Sequence, residues 1–186
     1  MRSTLPLLLI ASTFLVGCFG PPPVRRAGEQ PTLTGAQLVE IADALALNGD
    51  SVRAEQYLRR AQKENVPERV VLPRLLRLYV RDGQYRLAIE QAEHSLRRHP
   101  ADTELREFLG TLYVAVGQVE QALGEFEAVV ARKPDHASAH YAIASLLHRA
   151  GSEHARASEH YRAYLALEPN GEHAEEAEAN VMKELP

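Results

Sequence analysis

A chain of 186 residues can bury one core of useful size and carry a short appendage, but has no room for a second globular domain. With 45% hydrophobic and 25% charged residues, no Trp and recurrent Ala and Leu, the composition favours an all-α protein. The formal net charge of −4 sets nucleic acid aside, because neutralising phosphates takes a clustered excess of Lys and Arg.

The chain opens with one basic residue, Arg2, an apolar run from Leu5 to Val16, then Gly17 and Cys18, the layout of a secretory signal peptide over residues 1–17. The run has 12 residues, short of the roughly 20 that a membrane-spanning helix needs, and Pro6 interrupts it. Leu15-Val16-Gly17-Cys18 resembles the bacterial lipobox, and that resemblance implies that Cys18 becomes the acylated first residue of the mature chain. Cys18 is the only cysteine, so no intramolecular disulfide competes for it. Several acyl chains anchor a protein stably where one does so only marginally. Phe19 stands where an Asp signals inner-membrane retention in enteric bacteria, which by the same resemblance implies a place on the outer membrane, facing the periplasm, with the inner membrane as the alternative. Residues 18–34 contain Pro21, Pro22, Pro23 and Pro31 and little apolar periodicity, the composition of a semi-extended linker.

From residue 35 the chain repeats itself. Gly49, Gly83, Gly117 and Gly151 stand at intervals of 34 residues. Behind each comes an alanine (Ala54, Ala88, Ala122, Ala157), then a packing residue (Leu58, Ala92, Phe126, Tyr161) and a closing proline (Pro67, Pro100, Pro134, Pro169). Leu38, Ile41, Ala42 and Leu45, and then Leu72, Leu75, Leu76 and Tyr79, show the spacing of one helical face. This pattern resembles the tetratricopeptide repeat, a 34-residue helix-turn-helix, most closely where Leu109-Gly110, Tyr113, Gly117, Ala122, Phe126 and Pro134 follow one another. The resemblance implies a right-handed superhelical stack of four hairpins, at about 35–68, 69–102, 103–136 and 137–170, with residues 171–186 as a capping helix that turns Ala174, Ala177 and Val181 inward. Asp50 and Ser152 are placed to cap the helices that follow them. Leu76 fills a slot that the family keeps small, which predicts wider packing in the second hairpin. Pro73 either kinks the first helix of that hairpin or marks its start near Leu72.

The sequence contains no phosphate-binding glycine loop, no Gly-x-Ser-x-Gly elbow and no His-Glu-x-x-His, so neither an enzyme nor a cofactor nor a small-molecule substrate is expected. Six histidines, His136, His140, His148, His154, His160 and His173, crowd the C-terminal third. His136 and His140, four apart, share a helical face and are the one pair that a metal-dependent envelope enzyme could use; solvated surface histidines are the plainer reading.

In the tetratricopeptide family the first helix of each hairpin lines a concave groove that holds peptides. The matching positions here are Val39 and Asp43; Arg77, Val80 and Arg81; Glu107, Thr111 and Val114; and Tyr141, Ser145 and His148. Asn is absent from these positions, so the chaperone-tail clamp of some family members is not inherited. Arg74, Arg77 and Arg81 form a row that could meet acidic residues of a partner, and Tyr141 and Val114 could serve as apolar anchors. The resemblances together imply a tethered scaffold that captures an envelope protein, in the manner of the pilotins of type IV pili. Peptidoglycan, outer-membrane insertion, gliding and polysaccharide-export machinery are the alternative clients.

Overall fold

The computed structural model describes residues 33–151 and 153–182, without the side chain of Met182. The expected signal segment, Cys18, the linker as far as Thr32 and the capping residue Ser152 lie outside the described residues. The described residues form nine α-helices and no strand: α1 (Gly35–Leu47), α2 (Ser51–Lys63), α3 (Glu68–Arg81), α4 (Tyr85–Arg98), α5 (Thr103–Ala115), α6 (Val119–Arg132), α7 (Ala137–Ala150), α8 (His154–Leu167) and α9 (Ala174–Met182). They pair in chain order into four hairpins, each leaning on the next, and α9 closes the stack against α8. This is the all-α arrangement that the 34-residue period predicts.

Glycine makes the turns. Gly49, Gly83, Gly117 and Gly151 all take positive φ, between 69° and 80°, a conformation that costs a residue with a Cβ but not glycine. At the first three turns the residue after the glycine donates back into the helix it has left: Asp50 N to Leu45 O at 2.9 Å, Gln84 N to Tyr79 O at 2.7 Å and Gln118 N to Tyr113 O at 2.8 Å. Helix starts are capped where the sequence allows: Thr34 and Gln37 form a reciprocal capping box on α1, the Asp50 carboxylate accepts from Arg53 N at 3.1 Å, and Asp102 accepts from Leu105 N at 3.0 Å. The residue capping α8 is Glu153, whose side chain makes no cap bond.

The main core runs along the hairpins, with Ala54, Ala88, Ala122 and Ala157 fully buried, and a second cluster of Ala137, Ala144, Tyr161, Tyr164 and Ala177 joins the last hairpin to α9. One pair of positions sets the spacing inside each hairpin. In the third, a Cβ added to Gly110 would stand 2.9–3.1 Å from three ring atoms of Phe126, so the ring occupies the space that the glycine leaves. In the second the bulk changes sides: Leu76 and Ala92 hold the equivalent positions, and both are buried. The helices of this hairpin also run less closely together than those of the other three, as expected of a leucine in the small slot. α3 begins at Glu68 rather than Leu72 and continues to Arg81, so Pro73 sits inside it. Pro73 is exposed, and the donor it lacks leaves one helical carbonyl without its usual bond.

Between hairpins, tyrosine hydroxyls join the second helix of one unit to the first of the next. Tyr79 on α3 donates to Glu55 on α2 at 2.6 Å and accepts from Arg59 at 2.8 Å. Tyr113 on α5 donates to Glu93 on α4 at 2.6 Å. Burial first, and then the bond to Glu55, pushes the Tyr79 hydroxyl up to about 12, which keeps it a donor at any physiological pH.

Candidate partner-binding site

The first helices of the hairpins meet their successors through polar staples at three of four junctions. From α3, Arg74 reaches Asp43 on α1, with Nε to Oδ1 at 2.9 Å and Nη2 to Oδ2 at 3.1 Å. From α7, Ser138 Oγ donates to Glu107 on α5 at 2.5 Å, and His136 Nε2 stands 3.5 Å from the same carboxylate. On α7 the Tyr141 hydroxyl donates to Glu176 of α9 at 2.7 Å, while its ring stacks on His173 with centroids 3.9 Å apart.

The junction of α3 with α5 has no such staple. One repeat beyond Asp43 and Arg74 the chain has Arg77 and Phe108, and between these helices opens a cavity of about 920 Å³. Leu72, Leu76, Leu105 and Phe108 line it with apolar surface, and its charged lining carries both signs: Arg69 and Arg77 beside Glu68, Asp102 and Glu104. Both arginines are exposed, and neither pairs with a carboxylate among the described residues; Arg77 spends its Nε on Pro73 O at 3.3 Å. An apolar trough edged by charges of both signs can bury an aliphatic or aromatic side chain, and the two exposed guanidinium groups can pair a neighbouring carboxylate. The wide second hairpin, with Leu76 in place of a small residue, forms one wall.

The groove positions read from the sequence divide three ways. Arg77 lines the cavity. Thr111, Val114, Ser145, His148 and Val80 lie at least partly accessible along α3, α5 and α7, with Val80 and Val114 leaning on the core and the Thr111 hydroxyl donating to Glu107 O at 3.0 Å. The rest are occupied. Val39 is 7% exposed and belongs to the core. Asp43 is held by Arg74, and Glu107 by Ser138 and His136. Arg81 donates to Ala46 O and, at 2.6 Å, to Ser51 Oγ, tying the first turn to α3. Tyr141 lies under α9, its hydroxyl raised by burial and then by the bond to Glu176, so it anchors the cap and offers no free anchor to a partner. Sequence reasoning did not select Leu72, Leu105, Phe108 or Arg69. Helical periodicity marks Leu72, Leu105 and Phe108 as inward-facing, and Leu105 is buried while Leu72 and Phe108 are half-buried; Arg69 is exposed.

The histidines do not converge on a metal site: no group of three or more His, Cys, Asp or Glu among the described residues is placed to hold a metal. His136 turns to Glu107, whereas His140 turns to His160 on α8, with Nδ1 to Nδ1 at 2.9 Å. The pair that four-residue spacing suggests is therefore divided between two different neighbours.

Helical hairpins of 34 residues, stacked on one another and turned at glycines, give the described residues the fold seen in tetratricopeptide repeat proteins. Residues 109–172, from the third hairpin to just beyond the fourth, match the family model described as "Tetratricopeptide repeat". Among solved structures the chain is similar to a tetratricopeptide repeat protein from Parabacteroides merdae ATCC 43184, with TM-score 0.71 and 24% identity over 80% of this chain. It spans 59% of that protein's length. It is also similar to YrrB, described as a TPR protein with an unusual peptide-binding site, with TM-score 0.64 and 19% identity over 78% of this chain and 74% of that one. A third similar structure is MamA from Desulfovibrio magneticus RS-1, with TM-score 0.64 and 18% identity over 80% of this chain and 92% of that one. No curated protein matches the sequence. At these identities the structural likeness concerns the fold.

Proposed function

We propose that this chain is a lipid-tethered docking scaffold of the bacterial envelope that holds a segment of a partner protein in the cleft between α3 and α5. The observation that carries this reading is the cleft itself, about 920 Å³ in volume, lined by Leu72, Leu76, Leu105 and Phe108, with Arg69 and Arg77 exposed beside Glu68, Asp102 and Glu104. Such an arrangement suits an apolar side chain in a peptide that is extended or helical, with Arg69 and Arg77 placed to meet one neighbouring carboxylate. The similarity to YrrB, a TPR protein with a peptide-binding site, supports the same use of the fold. The lipobox-like Leu15-Val16-Gly17-Cys18 supplies the tether, with Phe19 favouring the outer membrane. A tethered tetratricopeptide stack resembles the pilotins that escort secretins, and we take assembly or localisation of an envelope complex as the role, by analogy of architecture.

Crosslinked pull-down from the native envelope tests the cleft. Arg77→Glu, alone and combined with Phe108→Asp, is expected to reduce partner recovery by about tenfold or more, as loss of a central anchor does. The helical circular dichroism of the single variant should stay unchanged. Equal recovery by wild type and both variants rules the cleft out. A separate measurement addresses the tether: Cys18→Ser should move the protein from the membrane pellet to the soluble fraction, and its retention in the pellet would remove the lipid anchor from this reading.

A further inference from the structure

The contact between His140 on α7 and His160 on α8 has a property that neither helix needs for packing. Their Nδ1 atoms lie 2.9 Å apart, so one must donate and the other accept. The other nitrogen of His140, Nε2, lies 3.0 Å from Pro134 O. A carbonyl oxygen only accepts, so Nε2 of His140 carries a proton. With both rings neutral, His140 Nδ1 is then bare and His160 Nδ1 must donate, which places His160 in the Nδ1–H form. One added proton is tolerated: a charged His140 donates from Nδ1, and His160 accepts after moving its own proton to Nε2. A second added proton is not, because it sets two N–H groups against each other at hydrogen-bond distance, both on cations.

We propose that His140 and His160 form a proton-operated latch on the last hairpin, closed while the pair carries no more than one positive charge and driven apart when both imidazoles are charged. The latch sits in the seam between α7 and α8. Tyr141, the next residue after His140, seats α9 through Glu176 and His173, so parting the seam also loosens the cap.

The surroundings act on the charged form of His160 in both directions. Burial is the strongest influence, followed by His140 across the seam and Arg156 on α8, and all three hold its titration below the 6.5 of a free imidazole; Glu127 on α6 and Glu159 on α8 pull weakly the other way. Arg156 is itself paired with Glu127 and Glu153, and from the α6–α7 turn the Pro134 carbonyl faces His140. A histidine titrating lower in the folded state than in the unfolded one leaves the unfolded state binding more protons. Its contribution is therefore complete above the unfolded value and is lost as the pH falls below it, by about tenfold in the closed-to-open ratio for each unit of depression.

Amide hydrogen exchange on the full chain at about pH 7.5 and about pH 5, corrected for intrinsic rates, reads the latch directly. Protection of α7, α8 and α9 should fall by about tenfold or more at the lower pH while α1 to α4 change little, and His160→Gln, which cannot charge, should flatten that difference. An unchanged pH response in His160→Gln, or a loss of protection spread evenly over all hairpins, overturns the latch. If His160→Gln fails to fold, nitrogen-15 NMR of the wild-type rings decides. At neutral pH, His160 should be protonated on Nδ1 and His140 on Nε2, and any other pair of tautomers removes the hydrogen-bond arrangement on which the latch depends.

Discussion

Replacing Gly110 with leucine is expected to destabilise the protein by about 3 kcal/mol, the upper end of the usual cost of overpacking a core. Even a single Cβ there comes within 2.9 Å of the Phe126 ring, and that ring, 3% exposed, has nowhere to withdraw. Phe126→Ala alone should cost about 3–5 kcal/mol through lost burial and an unfilled cavity. The double variant, Gly110→Leu with Phe126→Ala, reproduces the Leu76 and Ala92 arrangement of the second hairpin, and its urea midpoint should recover to within about 2 kcal/mol of wild type. A double variant as unstable as the sum of the two singles would mean that these positions do not share one space.

The second large effect is expected at the other end of the stack. Tyr161 is 1% exposed, its ring stands 6.1 Å from that of Tyr141, and its hydroxyl accepts from Asn180 of α9 at 3.3 Å. Tyr161→Ala removes both the filler of the last hairpin and a hydrogen-bonding seat of the cap, at about 3–5 kcal/mol. In a stack whose units touch only their neighbours, the loss should be local: amides of α7 to α9 exchange at rates approaching those of an unfolded segment, while α1 to α4 keep their protection. Tyr161→Phe, which keeps the ring and loses only the hydroxyl, should cost about 1 kcal/mol. Uniform loss of protection in Tyr161→Ala would show the four hairpins to be a single cooperative unit.

The architecture was legible because it is written in spacing. Glycines 34 apart mark turns for a conformational reason, and buried alanines between them mark where helices touch, so hairpins and cap can be placed without knowing any tertiary contact. Even the wide second hairpin follows from Leu76 alone. The site was less legible, because periodicity gives the angle at which a residue leaves its helix but not the distance to what lies opposite. Val39 and Tyr141 fall on the expected face, yet Val39 is packed into the core and Tyr141 is engaged by Glu176 and His173. Phe108 reads as ordinary core and stays only half-buried beside the cleft, where Arg77 and Phe108 cannot repeat the ion pair that Asp43 and Arg74 make one unit earlier. The partnership of His140 with His160 crosses between two helices, beyond the reach of any count along one of them.

The exchange of bulk between Leu76 with Ala92 and Gly110 with Phe126 has a consequence for how such a sequence can drift. Neither member of a couple is free to change size by itself, since the intermediate carries either a clash or a void, but the two together have at least two solutions of similar fit within this one molecule. Descendants should therefore vary at these sites in linked steps, large with small. Which of the two solutions a given unit adopts also tunes the gap between its helices, so local curvature of the stack can be adjusted by a pair of substitutions that leave the buried volume almost constant.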